Sequence, residues 1–251
     1  MKPSTLFGSS HTAPCVRQVY GVSGSGKTIM LNQMLRDAIK SNAFNPLWRF
    51  IIIDIKHDGY ADLVKKVAYN SKEAIKMLKK NRLVVLHPSI EDAQIEIDSI
   101  IDYLFKMGGY SDEFGATLII EESSTFITTS ISGIPQSIKR LATQGRSLGL
   151  SLLLVNQRAL SNKWADTQSQ SITCFRLSVV DRKLLKDRWG IPADEMDLTL
   201  SEKKFSYAHY DLEELTLRYY NPVELKKTLK PIKNEIKKRK LRSIFDSFNS
   251  L

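Results

Sequence analysis

Cysteine is nearly absent from this chain of 251 residues. Cys15 and Cys174 stand far apart with no C-x-x-C spacing, so neither a disulfide framework nor a thiolate zinc site is suggested, and a reducing interior fits. Long apolar runs are missing too. Stretches such as LSLLLV, Leu150 to Val155, fall far short of the roughly 18 residues that a membrane-spanning helix needs. The opening MKPSTLFGSS has no apolar core of an export signal, so the expectation is a soluble protein without one. No internal repeat or low-complexity tract is present. Acidic residues are outnumbered, 27 Asp and Glu against 37 Lys and Arg, for a net charge of +10. That balance suits a polyanionic partner without identifying it, the plainer alternative being a soluble basic protein.

With 42% apolar residues the chain can fill the core of one large α/β domain. Its organising stretch is GVSGSGKT, Gly21 to Thr28, which fits the phosphate-binding pattern G-x-x-x-x-G-K-S/T at every fixed position. VRQVY (Val16 to Tyr20) reads as a short buried strand before it. Apolar positions at Ile29, Met30, Leu31, Met34, Leu35, Ala38 and Ile39 give a helix after it. Gly21, Gly24 and Gly26 are expected to take positive φ and let backbone amides, including those of Ser23 and Ser25, line one concavity at a helix start. Lys27 would then reach the β and γ phosphate oxygens of ATP or GTP, and the Thr28 hydroxyl would ligate Mg²⁺.

The rest of the chain alternates strands and helices. WRFIIIDIK predicts a buried parallel strand that ends in Asp54, Lys56, His57 and Asp58, near-site candidates at the ligand-binding edge of the sheet or simply the polar exit of a strand. Ser71 to Lys80 predicts a short amphipathic helix, and RLVVLHP a third strand. EDAQIEIDSIIDYLFKM predicts a helix, with Ile95, Ile97, Ile100, Ile101, Leu104 and Phe105 largely on one side and Gly108 to Tyr110 as its terminator.

Strand Thr117 to Ile120 delivers Glu121 and Glu122 at its carboxyl end. Neighbours on a strand face opposite ways, so one acid can help hold hydrated Mg²⁺ while the next faces an attacking water. Ile134 to Thr143 reads as a helix with a glycine exit and a protruding Arg146. LSLLLVNQR is a buried strand ending in Asn156, Gln157 and Arg158, where an amide can donate to a phosphate oxygen and accept from water, or merely cap a turn. ITCFRLSV is a further strand, followed by a charged helix with Asp181 as its cap. KFSYAHY and ELTLRYY predict a β-hairpin around Asp211 to Glu214. Asn221 to Ser243 carries nine Lys or Arg, as a solvated helix or a nucleic-acid contact. The expected division is a flexible segment over 1–14, an ATPase domain over 15–220 and a basic helical tail over 221–251.

Three stretches, GVSGSGKT, LIIEE and LATQGRSLGLSLLLVNQR, occur in an order that resembles the FtsK/HerA superfamily of DNA-pumping ATPases over roughly Val16 to Val180. In size the chain looks most like the genome-packaging ATPases of membrane-containing icosahedral viruses. The resemblance implies an α/β fold of the RecA-like (ASCE) P-loop type, a mostly parallel sheet flanked by helices with the hairpin and tail appended. It also implies ATP and Mg²⁺ as ligands, Glu121 completing the metal environment, Glu122 polarising water and Gln157 as polar sensor. Arg146 would be an arginine finger acting on the ATP of an adjacent subunit, an effect of about 10³ to 10⁵ in rate, with Arg158 and Arg176 as rivals. Such families usually place aspartate before the catalytic glutamate, so Glu121 is a departure and a rival base.

The partners implied are double-stranded DNA, further copies of the chain in a pentameric or hexameric ring, and capsid or membrane vertex proteins. The location implied is the host cytoplasm or the vertex of a procapsid or virion. Alternatives are a plasmid-mobilisation or repair translocase, and a monomeric P-loop kinase, with Arg182 and Arg188 imitating a lid, or a nucleotide-gated DNA-binding module.

Overall fold

The computed structural model describes residues 1–8, 16–41, 44–127, 133–159, 163–222 and 231–232. In chain order the elements begin α1 (Pro3–Phe7), β1 (Val16–Tyr20), α2 (Lys27–Lys40), β2 (Trp48–Ile53), α3 (Ser71–Leu78), β3 (Leu83–Leu86) and α4 (Ala93–Tyr110). They continue with β4 (Gly115–Glu121), α5 (Gln136–Gln144), β5 (Leu150–Asn156), α6 (Lys163–Gln168), β6 (Ser169–Cys174), α7 (Val179–Trp189), α8 (Ala193–Glu202), β7 (Tyr207–Asp211) and β8 (Thr216–Tyr220). The strands form one sheet in the order β3-β2-β4-β5-β1-β6-β7-β8. Its first six members run parallel, and the β7–β8 hairpin closes the sheet antiparallel against β6. This is the expected mostly parallel sheet, with the hairpin in the expected place.

Continuous apolar runs become central strands because both faces are covered. Ile51, Ile53, Leu118, Ile120, Leu152 and Leu154 enter the core beneath α3, α4 and α5. The alternating Phe50, Ile52, Ile119, Leu153 and Val155 enter the core beneath α2, joined by Leu6 and Phe7 of α1. A smaller cluster of Ile172, Leu185, Met196 and Ala208 binds α7 and α8 to the hairpin. The chain crosses from β1 past β5 and β4 to β2, which sets the carboxyl ends of β1, β4 and β5 side by side where such sheets bind ligands.

Several expectations are corrected. The amino-terminal lead-in is not loose over its first eight residues: Leu6 and Phe7 are buried, Thr117 Oγ1 donates to the Phe7 carbonyl at 2.8 Å, and Arg17 Nε donates to the Thr5 carbonyl at 3.0 Å. Gly108 to Tyr110 does not end α4 but forms its last turn. Gly108 is needed for close packing, since a Cβ there would lie 2.9 Å from both Cβ and the carbonyl oxygen of Leu148. Ile95 falls off the apolar stripe and is exposed. The cap of α7 is Ser178, which accepts from the Asp181 amide, whereas Asp181 is wholly buried. Helix α8 was not foreseen.

Cys15 and most of the basic tail lie outside the described residues. Ile232 of that tail is buried and donates its amide to the Leu63 carbonyl at 2.9 Å. Among the described residues no helix is long and apolar enough to cross a membrane.

Candidate nucleotide-binding site

The phosphate loop leaves the end of β1 and turns into α2. Gly24 (φ 71°) and Gly26 (φ 106°) take the left-handed backbone that only glycine enters freely. Gly21 does not, contrary to expectation. It is required for a close approach instead, because a Cβ would lie 2.6 Å from both Phe175 Cβ and Ser25 Oγ. The loop is closed by Val22 N to the Arg176 carbonyl at 3.0 Å and by Ser25 N to the Val22 carbonyl at 3.2 Å. Lys27, buried at the start of α2, folds back to donate to the carbonyls of Gly21 at 2.6 Å and Val22 at 3.3 Å. Burial lowers its pKa, opposed by the charges of Glu121 and Glu122.

Glu121 ends β4 and is 8% exposed. Burial lifts its carboxyl to about 7, against the pull of a hydrogen bond from the Tyr60 hydroxyl and of the Lys27 charge. Tyr60 is itself fully buried and also hydrogen-bonded to Thr28, so it ties the acid to the phosphate loop. The expected opposite facing of the two acids is not what forms. Glu122 leaves the strand in left-handed backbone, φ 50° and ψ 44°, and this twist brings its side chain to the same cleft as Glu121. There Glu122 Oε1 accepts from Lys56 Nζ at 2.6 Å and from Gln157 Nε2 at 2.8 Å. Asn156, the last residue of β5, locks the turn after β4 by accepting from Ser124 N and donating to Ser123 Oγ.

These groups line a cleft of about 240 Å³ that also includes Ser23, Gly24, Asp54, Asp58 and Gly59. Asp54 accepts from the amides of His57 at 3.1 Å and Gly59 at 3.3 Å, fixing the loop that carries Lys56 and Tyr60. Of the four candidates after β2, Asp54, Lys56 and Asp58 line the cleft. His57 instead stacks on His87 at 4.5 Å and meets the Pro88 carbonyl at 3.0 Å.

Thr28 and Glu121 offer the hard oxygen ligands that Mg²⁺ prefers, within one cleft. Among the described residues no group of three or more His, Cys, Asp or Glu is arranged to hold a metal.

The arginines separate. Arg146 is exposed in the turn Arg146–Leu148 before β5, at the sheet edge opposite the phosphate loop, roughly 20 Å of strand away. Arg158 is engaged by Asp181, Nε to Oδ2 at 3.2 Å. Arg176 lies beside the phosphate loop in a second cleft of about 350 Å³, lined also by Ser25, Leu200 and Phe205. Sequence reasoning missed Tyr60 and this second cleft. An aromatic one residue after a loop glycine was the available signal for Tyr60, and α8 gave none.

No family model and no curated protein sequence matches the chain. Its fold does match solved structures. The genome packaging NTPase B204 from Sulfolobus turreted icosahedral virus 2, in complex with ATP-gammaS, superposes with a TM-score of 0.65 at 16% identity, covering 89% of this chain and 100% of that one. The DNA-packaging ATPase B204 from Sulfolobus Turreted Icosahedral Virus gives 0.62 at 17% identity, covering 84% and 99%. The cytoplasmic domain of the Thermomonospora curvata Type VII secretion ATPase EccC gives 0.60 at 15% identity, covering 91% of this chain and 28% of that one. The chain therefore has the P-loop NTPase fold of these packaging and secretion ATPases, and its phosphate loop, paired glutamates and strand-end glutamine meet in one cleft.

Proposed function

We propose that this protein is an ATPase that works as a homo-oligomeric ring, pentameric or hexameric, and drives double-stranded viral DNA into a preformed capsid. The carrying observation is the meeting of Lys27, Glu122 and Gln157 in one cleft at the carboxyl edge of the sheet. The triphosphate lies along the loop from Gly21 to Thr28, its β and γ oxygens neutralised by Lys27. Glu122 accepts a proton from the attacking water, which Gln157 orients through the carboxylate that both share. Thr28 and Glu121 hold Mg²⁺, which supplies charge neutralisation of the phosphates. Arg146 cannot reach the nucleotide of its own subunit, so its role as a finger requires a neighbour. The net charge of +10 suits contact with a phosphate backbone without base reading. Such a motor acts in the host cytoplasm, docked on capsid or membrane vertex proteins.

The fold likeness to B204 supports a packaging role. The comparable likeness to EccC supports a second reading, a ring translocase for another cargo. ATP turnover measured against protein concentration, with and without double-stranded DNA, separates them. Packaging expects turnover per subunit to rise with concentration and with DNA, and indifference to DNA favours the second reading. Mixing Arg146→Ala with Glu122→Gln subunits tests the finger. Partial recovery of turnover is expected, and no recovery at any ratio refutes action across subunits.

A further inference from the structure

The nucleotide cleft continues past the phosphate loop. Ser23 and Gly24 line both the acidic cleft described above and the second one, so the two lie side by side on the same loop. Their chemistry differs. The first is lined by Lys27, Lys56 and four carboxylates, which suits phosphate and metal. The second has no carboxylate and offers an aromatic ring, the aliphatic Leu200 and the cations Arg176 and Lys204.

Two features of the second cleft lack a structural partner or purpose. Ser25 Oγ is buried, with the residue 9% exposed, and has no hydrogen-bond partner. Phe205 holds φ 70°, a backbone region that a bulky aromatic rarely enters. This conformation sets the ring directly over the loop, where a Cβ on Gly26 would lie 3.1 Å from Phe205 Cβ and Cδ1. The ring is half-buried, and the exposed Lys204 lies over it with Nζ 5.0 Å from its centre, so a planar group stacking on the ring takes the place of this cation.

We infer that this second cleft, built by the α8–β7 turn against the phosphate loop, receives the base and sugar of the nucleotide. Phe205 is the stacking surface and the Ser25 hydroxyl donates to the phosphate nearest the sugar. The inference rests on the nucleotide-binding reading above and deepens it, because it assigns residues to the base and sugar of the nucleotide and not to its phosphates alone. It also assigns recognition to an element outside the three motif stretches. No amide or carboxylate side chain lines the cleft, so affinity comes from stacking rather than from reading a base edge.

The test is a calorimetric titration of the nucleotide-free chain with ATP and, separately, with inorganic tripolyphosphate. Phe205→Ala should weaken ATP about tenfold while changing tripolyphosphate by less than about twofold, since base–aromatic stacking is lost and phosphate contacts are not. Phe205→Trp should retain ATP affinity. Unchanged ATP binding in Phe205→Ala overturns the inference, and so does an equal loss of both ligands, which would make Phe205 only a support for Gly26. Lys27→Ala should lose both ligands. If the unaltered chain binds neither, or if Lys27→Ala keeps both, the nucleotide reading itself fails, a result distinct from failure of the base subsite.

Discussion

Replacing Glu121 with glutamine should stabilise the nucleotide-free protein at alkaline pH. Glu121 is 8% exposed at the end of β4, and burial lifts its carboxyl from 4.5 to about 7. A carboxyl whose folded value lies above its unfolded one binds its proton more tightly in the native state. Stability is therefore lost as pH rises from 4.5 towards about 7, and the full cost is carried above that window. A rise from 4.5 to about 7, which already includes the attraction of Lys27, is worth about 3 kcal/mol. Glutamine carries no charge and keeps an oxygen for the Tyr60 hydroxyl. In urea unfolding, Glu121→Gln should exceed the unaltered protein by that amount near about pH 8 and by under ~1 kcal/mol near about pH 5. An equal offset at both values would refute ionisation of Glu121 as the source of the strain.

Tyr60→Phe removes the donor to Glu121 and should cost about 1–3 kcal/mol at alkaline pH, with a smaller loss in a Glu121→Gln background; a double-mutant cycle by urea unfolding checks the coupling. Lys56→Ala breaks an ion pair whose lysine side chain is 44% exposed, so stability should change by less than about 1 kcal/mol. The same variant removes a cation from the phosphate cleft and should raise the ATP dissociation constant about tenfold, a prediction that unchanged affinity in calorimetry would refute. Gly115→Ala places a methyl 2.2 Å from a ring carbon of Trp48, its register partner on β2. Overpacking of this kind should lower stability by about 1–3 kcal/mol or more, read as a drop in melting temperature.

The sheet was legible wherever apolar runs were long enough to be buried on both faces, as at Phe50 to Ile53, Leu118 to Ile120 and Leu152 to Val155. The phosphate loop was legible because close packing and positive φ leave glycine few substitutes. What failed did so for tertiary reasons. Gly108 looked like a helix stop, but its purpose is contact with Leu148, which lies 40 residues later and leaves no local trace. The facing of Glu122 followed from strand alternation until the left-handed turn, which no propensity of glutamate foretells. Helix α8 carries no motif, and Phe205 reads locally as part of a hairpin strand; its place beside the phosphate loop arises only from tertiary folding.

Arg146 and Lys27 occupy opposite rims of one sheet. No torsion of either side chain joins them within a single molecule. Any contact that brings the two rims together therefore joins two copies of the chain, each lending its arginine to a site built by the other's sequence. In such a contact, damage to an arginine is felt in the neighbouring molecule, whose own chain is intact.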